Sequence, residues 1–365
     1  MPQTRIILVG GFLGAGKTTM LARAATALVE QGKRVGLITN DQAANLVDTA
    51  ILEQARLQVQ EIAGGCFCCR FGQLLETAEQ LVAEMSPDVI IGEPVGSCTD
   101  LSATVLQPLK DLCVDSYRLS PLSVLVDPQR LRSVLAPEHP SPMHASASYI
   151  LRKQLEEADL IVINKQDTLT PAEQQQLAAA TAEAFSGKPI HLCSALTGEG
   201  VAEWLEAVMA DVEAGAHIVD VDYDVYAEGE AVLGWLNASA TVTAATGIDW
   251  QALARKLIEL IQQAAAARQA EIAHVKLSLT AEGQGVANLT STSGTPTVRG
   301  EIEGNPVTVS LVLNARVQMS PEELRSIVEG AFAEIAGDGH DLEVETLHSL
   351  SPGRPVPTHR YASVV

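Results

Sequence analysis

The sequence predicts an α/β chain in two parts, a mostly parallel sheet wrapped by helices and then a smaller α+β domain. Three observations carry this. Short apolar runs, Arg34–Thr39, Leu57–Ala63, Asp88–Glu93, Leu122–Val126, Asp159–Ile163 and Pro189–Ser194, alternate with helical stretches up to residue 213, the rhythm of strands joined by crossover helices. From Ala214 to Glu230 the composition shifts, with Asp220, Asp222, Asp224, Glu228 and Glu230 crowding a stretch that reads as a linker. Beyond it, clean period-two alternation appears beside helical faces, the pattern of a separate sheet. The expected boundaries are 1–215, an acidic linker over 216–230, a second domain over 231–350 and an extended tail over 351–365. With 365 residues, 47% of them hydrophobic, there is material for two cores.

The first element is the buried-strand run Arg5–Gly10, and Lys17–Gln31 reads as the helix after it. Between them, Gly11-Phe-Leu-Gly-Ala-Gly-Lys-Thr18 matches G-x-x-x-x-G-K-[ST] in strand–turn–helix context. Gly11, Gly14, Ala15 and Gly16 allow a backbone bend in which successive N–H groups converge on phosphate oxygens, and the helix N-terminus adds partial positive charge. Lys17, expected at the surface of the helix start, would neutralise β/γ-phosphates; Thr18 would offer its hydroxyl to Mg²⁺, with Thr19 completing the cradle.

Arg34–Thr39 ends on Asn40 and Asp41, and Asp41 has two readings, a place in the Mg²⁺ shell or a solvated turn. Leu57–Ala63 opens into Gly64-Gly-Cys-Phe-Cys-Cys69. In an extended chain Cys66 and Cys68 point to one side and Cys69 to the other, so all three reach one ion only where the loop turns, which Gly64 and Gly65 make easy. Thiolates suit Zn²⁺, Cu⁺, Co²⁺ or Ni²⁺, with Zn²⁺ or Co²⁺ foremost, and three of them leave an open tetrahedral position. The alternative is a set of small buried residues. At the end of Asp88–Glu93, Glu93 could hold Mg²⁺-bound water or orient an attacking water, Gly96 supplies a flexible position near the γ-phosphate, and Cys98 is a candidate fourth metal ligand. Cys113 and Cys193 read as core residues, Asp127 as a structural strand-end acid, and His139 and His144 as solvated loop residues.

Asp159–Ile163 leads into Asn164-Lys-Gln-Asp167. A carboxylate at Asp167 only accepts hydrogen bonds, and guanine presents two donors on one edge where adenine presents none in that geometry. Asn164 would orient the loop and Lys165 would lie along the base. A blander account is a loop ahead of the capping box Thr170-Pro-Ala-Glu173. Cys193-Ser-Ala195 follows on the next strand end, bringing Ser194 to the same place and the Ala195 N–H to the guanine carbonyl. In the second domain, Trp250, Leu253, Leu257, Leu260 and Ile261 share one helix face, and a second helix starts at the capping box Ser320–Glu323. Val275, Leu277 and Leu279, and then Val307, Val309, Leu311 and Leu313, alternate as strands. Three prolines after Ser351 in Pro352–Pro357 favour an extended, docked tail.

Taken together, Gly10–Thr19, Asn40-Asp41, Gly64–Cys69, Glu93-Pro-Val-Gly96, Ala158–Asp167 and the tail Pro352–Arg360 resemble the CobW-like family of P-loop GTPases, relatives of the hydrogenase and urease maturation GTPases. The resemblance spans nearly the whole chain. It implies GTP hydrolysis with Mg²⁺, coupled to delivery of a transition metal to a client metalloprotein, and contact of His359 and Arg360 with the GTPase domain. One departure is Asn40-Asp-Gln-Ala-Ala44, where many relatives carry a second carboxylate after Asn-Glu. Two alternatives stay open: a GTPase chaperone for a corrinoid-dependent enzyme, and a P-loop transferase with a structural Cys loop. A homodimer is one expected assembly. The net charge of −21 argues against nucleic acid and anionic membranes as partners. Without a basic leader or a run of 18 apolar residues, a cytoplasmic protein is expected, and three cysteines within four positions suit a reduced compartment.

Overall fold

The computed structural model describes residues 3–41, 58–136 and 143–365. Among them the chain forms two compact units, one running as far as Tyr226 and taking up Arg354–Val365 again, the other holding Ala227–Gly353. The first unit opens with β1 (Thr4–Gly11), α1 (Lys17–Glu30), β2 (Val35–Asp41), β3 (Gln58–Ala63), α2 (Phe71–Met85) and β4 (Val89–Glu93). A π-helical turn, Ser102–Leu106, runs into α3 (Gln107–Leu112), followed by β5 (Tyr117–Leu119), β6 (Ser123–Val126), α4 (Pro128–Leu135) and α5 (Ala145–Glu157). Then come β7 (Leu160–Ile163), α6 (Pro171–Ala184), β8 (Ile190–Leu192) and α7 (Val201–Met209).

The strands stand in the order β3-β2-β4-β1-β6-β7-β8, with β5 beside β1, and every pairing is parallel. Parallel strands covered on both faces read as continuous apolar runs, and Ile7, Leu8, Val9, Leu37, Ile90, Ile91 and Ile161 are fully or almost fully buried. Helix α1 covers the sheet with Met20, Leu21, Ala24, Ala25 and Leu28, a stripe of helical period. The strand order reverses at β1, so the carboxyl ends of β1, β2, β3 and β4 and those of β6, β7 and β8 open on one edge, where ligands of open α/β sheets bind. Strand β5 went unread because three residues with a central exposed arginine, Arg118, give no apolar run.

The second unit is an antiparallel sheet, β12-β11-β10-β13-β9-β14, built from β9 (Gly234–Ala244), β10 (Ile272–Ala281), β11 (Gly283–Leu289), β12 (Thr297–Ile302), β13 (Thr308–Val317) and β14 (His340–Leu350). The helices Trp250–Ala267 and Pro321–Gly337 share one hydrophobic core with it. Val275, Leu277, Leu279, Val309, Leu311 and Leu313 all point into that core. Val307 does not: it precedes β13 and is exposed. On the first helix Ile258 is buried, and Leu260 only lies against the core.

The stretch expected as an acidic linker is structured from Tyr223 to Ala231 as α8. Asp222 accepts from the Asp224 and Val225 N–H groups, so this carboxylate starts a helix instead of solvating a tether. Among the described residues no helix is long and apolar enough to cross a membrane.

Candidate functional site

The phosphate loop leaves β1 at Gly11, whose φ of 132° suits only glycine and whose Cβ, if present, would lie 2.2 Å from the Leu125 carbonyl of β6. Gly16 has φ 91°, and a Cβ there would meet Asn164 Nδ2 at 2.4 Å. Both glycines are therefore demanded by close approach as well as by backbone bend. No side chain caps α1, which leaves its first N–H groups directed at whatever anion lies in the loop. Lys17 is buried, not surface-facing as its position at a helix start suggested, because its Nζ folds back onto the Gly11 carbonyl at 2.8 Å. That folded-back ammonium lies 4.0 Å from Glu93 Oε1.

Thr18 Oγ donates to the same Glu93 oxygen at 3.1 Å, and both residues are buried. A hydroxyl from the first turn of α1 and a carboxylate from the end of β4, meeting beside the phosphate loop, are hard oxygen donors of the kind Mg²⁺ takes with only one or two protein ligands. Gly96 carries its backbone against the loop: a Cβ would fall 2.7 Å from Leu13 Cδ2. Asp41 ends β2 at this edge. Its side chain, residues 42–44 of the first switch and His139 lie outside the described residues.

Asn164 clips the base loop to the phosphate loop. Its Nδ2 donates to Ala15 O at 2.8 Å and its Oδ1 accepts from Ala195 N–H at 2.9 Å. The Ala195 N–H expected to reach a guanine carbonyl is thus already used, whereas Leu196 N–H has no hydrogen-bond partner among the described residues. Asp167 is exposed, with Oδ1 held at 2.5 Å by Ser194 Oγ. Lys165 sits in the left-handed region and pairs with Asp127 Oδ2 at 2.7 Å, while Asp127 also caps α4 through Gln129 and Arg130 N–H. Burial opposes ionisation of Asp127, but the Lys165 ammonium and these N–H donors outweigh it and hold the carboxyl below its usual range. His144, read as solvated, caps α5 by accepting from Ser146 N–H.

Gly64 and Gly65, with φ of 79° and 154°, turn the chain out of β3, and Cys69 and Arg70 N–H both bond to the Cys66 carbonyl, closing a helical turn. That turn overrides strand alternation. The Cys66, Cys68 and Cys69 sulfurs lie within 4.8 Å of one another, at 2.9 Å (66–68), 3.1 Å (66–69) and 3.8 Å (68–69). A Zn–S bond of about 2.3 Å implies a tetrahedral S···S edge of about 3.8 Å. One edge already has that length and the other two need to open by less than an ångström. Cys98, buried, hydrogen-bonds to both Cys66 and Cys68, although it stands outside the tight group of three. Hydrogen bonds with Cys68, Cys69 and Cys98 hold Cys66 far below its ordinary pKa. The same contacts push Cys68 well up and Cys69 to about 11. Of the two remaining cysteines, Cys193 is buried and Cys113 half-buried.

Asn40 builds this turn. Its Nδ2 donates to Ile62 O and Gly65 O and its Oδ1 accepts from Phe67 N–H. Phe67, fully buried, wedges beside Gly92 of β4. Arg23 of α1 donates to Ala195 O at 2.8 Å and Leu196 O at 2.7 Å, gripping the base loop from outside. Neither role was visible in the sequence: an arginine on a helix reads as a solvated charge, and Asn40 finds its partners only once β3 pairs in register with β2.

A family model described as the CobW/HypB/UreG nucleotide-binding domain matches residues 5–191. The zinc chaperone YeiR of Escherichia coli is 30% identical over 182 residues, covering 48% of this chain and 50% of that protein. The zinc chaperone CobW of Pseudomonas aeruginosa is 28% identical over 222 residues, covering 53% and 57%. The chain thus spans about half the length of the curated relatives it matches. Among solved structures, Zn(II)-bound YjiA GTPase from Escherichia coli is similar with a TM-score of 0.38 and 16% identity, covering 91% of this chain and 99% of that one. HypB from Helicobacter pylori in complex with nickel aligns with a TM-score of 0.41 and 17% identity over 56% and 84%.

Proposed function

The chain belongs to the CobW/HypB/UreG family through its nucleotide-binding domain, and from that premise we propose a GTP-hydrolysing metallochaperone that carries Zn²⁺ or Co²⁺ to a client metalloprotein. Guanine is accepted by Asp167, braced by Ser194, with the neighbouring Leu196 N–H available to the base carbonyl. Phosphates lie against the Gly11–Thr19 backbone, and Lys17 moves its ammonium from the Gly11 carbonyl to the β/γ-phosphates. Thr18 and Glu93 are the residues that would hold Mg²⁺, which would supply positive charge against the charge that develops on the phosphate oxygens. Glu93 and Asp41 are the carboxylates proposed to orient the attacking water, and Gly96 brings the second loop close to the γ-phosphate.

The cargo site is Cys66, Cys68 and Cys69, with Cys98 as the fourth donor. One observation carries the coupling of the two sites. The six-residue stretch from Glu93 to Cys98 begins on the Thr18 hydroxyl and ends on the sulfur cluster. Any movement of Glu93 on nucleotide exchange is passed to a metal ligand along a short piece of backbone.

Titrating Co²⁺ into the nucleotide-free protein, the GDP complex and a non-hydrolysable GTP complex, and reading thiolate-to-cobalt absorption, tests this. The expected result is affinities that differ about 5–150-fold between nucleotide states, and by linkage an equal effect of metal on GTP affinity. Three coincident affinities would leave the thiols as a passive cluster and end the chaperone reading.

A further inference from the structure

Segment 354–361 runs without regular structure across the face of the first unit, over the two loops that bear the thiols. Pro355 and Pro357 have no N–H, which leaves those of Val356 and Thr358 as the backbone donors between Pro355 and Thr358. Both go to the Cys loop. Val356 N–H donates to the Cys69 sulfur, and Thr358 N–H donates to the Cys68 carbonyl at 2.8 Å, with Thr358 Oγ on the Cys69 carbonyl at 3.3 Å. Two residues on, Arg360 Nε bonds Asp100 Oδ2 at 2.7 Å, and Tyr361 N–H bonds Ala103 O at 3.0 Å.

Asp100 is almost wholly buried, sits at φ 67° and lies two residues after Cys98. A buried carboxylate is costly unless paired, and Arg360 is the cation that pairs with it among the described residues. One short stretch thus ties the loop of Cys66, Cys68 and Cys69 to the loop of Cys98. Apart from the His359 ring, edge-on to the buried Phe71, the tie is made of polar bonds. Val356, Thr358 and Arg360 are exposed, and of these residues only Pro355 is buried. Segments with many solvent-exposed hydrogen bonds and little apolar burial open at low cost.

We propose that residues 354–361 form a releasable strap, in which Thr358 and Arg360 are positioning residues that hold the two thiol-bearing loops together and cover the sulfurs until the ion is transferred. This rests on the thiolate site being a metal site. Among the described residues the strap's hydrogen bonds go to none of the nucleotide-binding residues, so its release opens the cargo side while the nucleotide stays bound.

The test uses the full chain with Arg360→Ala, Thr358→Pro and Arg360→Lys. Two readouts are taken: Co²⁺ affinity and release to a chelator, and the rate at which a maleimide alkylates Cys66 and Cys68 in metal-free protein. Loss of a residue that orients metal ligands typically weakens binding about 10–100-fold, and that loss is expected for Arg360→Ala and Thr358→Pro, with faster release and faster alkylation. Arg360→Lys, which keeps a cation for Asp100, restores both, and GDP affinity without metal is unchanged throughout. Thr358→Pro leaves the ion pair intact, so it reports on the strap even where Arg360→Ala fails to fold. Wild-type metal affinity and wild-type alkylation in both disruptive variants would overturn the proposal. Wild-type protein that binds no Co²⁺, but whose thiols become reactive in the variants, would sink the metal reading and leave the strap standing as a cover.

Discussion

Arg23 donates to two carbonyls of one tight loop, and the N–H of Leu196 beside them has no hydrogen-bond partner among the described residues. The side chain also fills the space over Gly198, where a Cβ would come within 2.8 Å of Nη1. In the proposed guanine pose its effect on the base is therefore indirect and local to the carbonyl edge, whereas the amino edge is assigned to Asp167. Arg23→Ala is expected to cost on the order of 1–2 kcal/mol in GTP affinity through the loss of two charge-assisted bonds. More tellingly, preference for GTP over the 2-aminopurine triphosphate, which lacks the carbonyl, should shrink, while preference over inosine triphosphate, which lacks the amino group, persists. Equal losses on both comparisons would show that Arg23 merely supports the fold. At this scale the sequence disclosed the residues whose chemistry is distinctive in a motif: Lys17, Thr18, Asp167 and the three clustered cysteines. It concealed Arg23 and Asn40, whose types are common everywhere and whose partners are backbone atoms brought near by the fold.

At the level of elements, the glycine turn after β3 depends on the end of β2. Asn40 supplies three of the hydrogen bonds that set the path of residues 62–67. Asn40→Ala leaves those backbone groups buried without the amide, and a loss of about 2–4 kcal/mol in unfolding free energy is expected, with weaker Co²⁺ binding and little change for GDP. Unchanged metal affinity in the variant would mean that the two glycines alone dictate the turn. Strands were legible because a parallel sheet buried on both faces requires unbroken apolar runs. The division between the two units falls inside the acidic stretch over 216–230, but the helix there was not legible, because the same Asp that suits a linker also suits a helix start and only the bonds to Asp222 distinguish them. Tyr226, fully buried, was the residue that argued for order there.

For the whole molecule, one buried acid gives stability a pH dependence that net charge does not describe. Glu157 is fully buried; burial raises its carboxyl from the ordinary 4.5 to about 8, and hydrogen bonds from Ser102 N–H and Thr99 Oγ only partly oppose this. The folded state keeps this proton where the unfolded chain has released it. Its contribution is therefore complete below the unfolded value and is lost as pH rises through the folded one. Urea unfolding between about pH 5 and about pH 9 should show wild type losing about 2–4 kcal/mol relative to Glu157→Gln across that window. Parallel curves would mean the carboxyl is ionised when folded. The strand order has a different consequence. Five strand spacings separate β3, which leads to the sulfurs, from β7, which leads to the base loop, roughly 24 Å across the sheet. Under the proposed function, fuel is recognised at one flank and freight at the other, with only the phosphate centre in common. Inheritance can then alter either flank alone, so that descendants of one engine come to haul different loads on the same fuel.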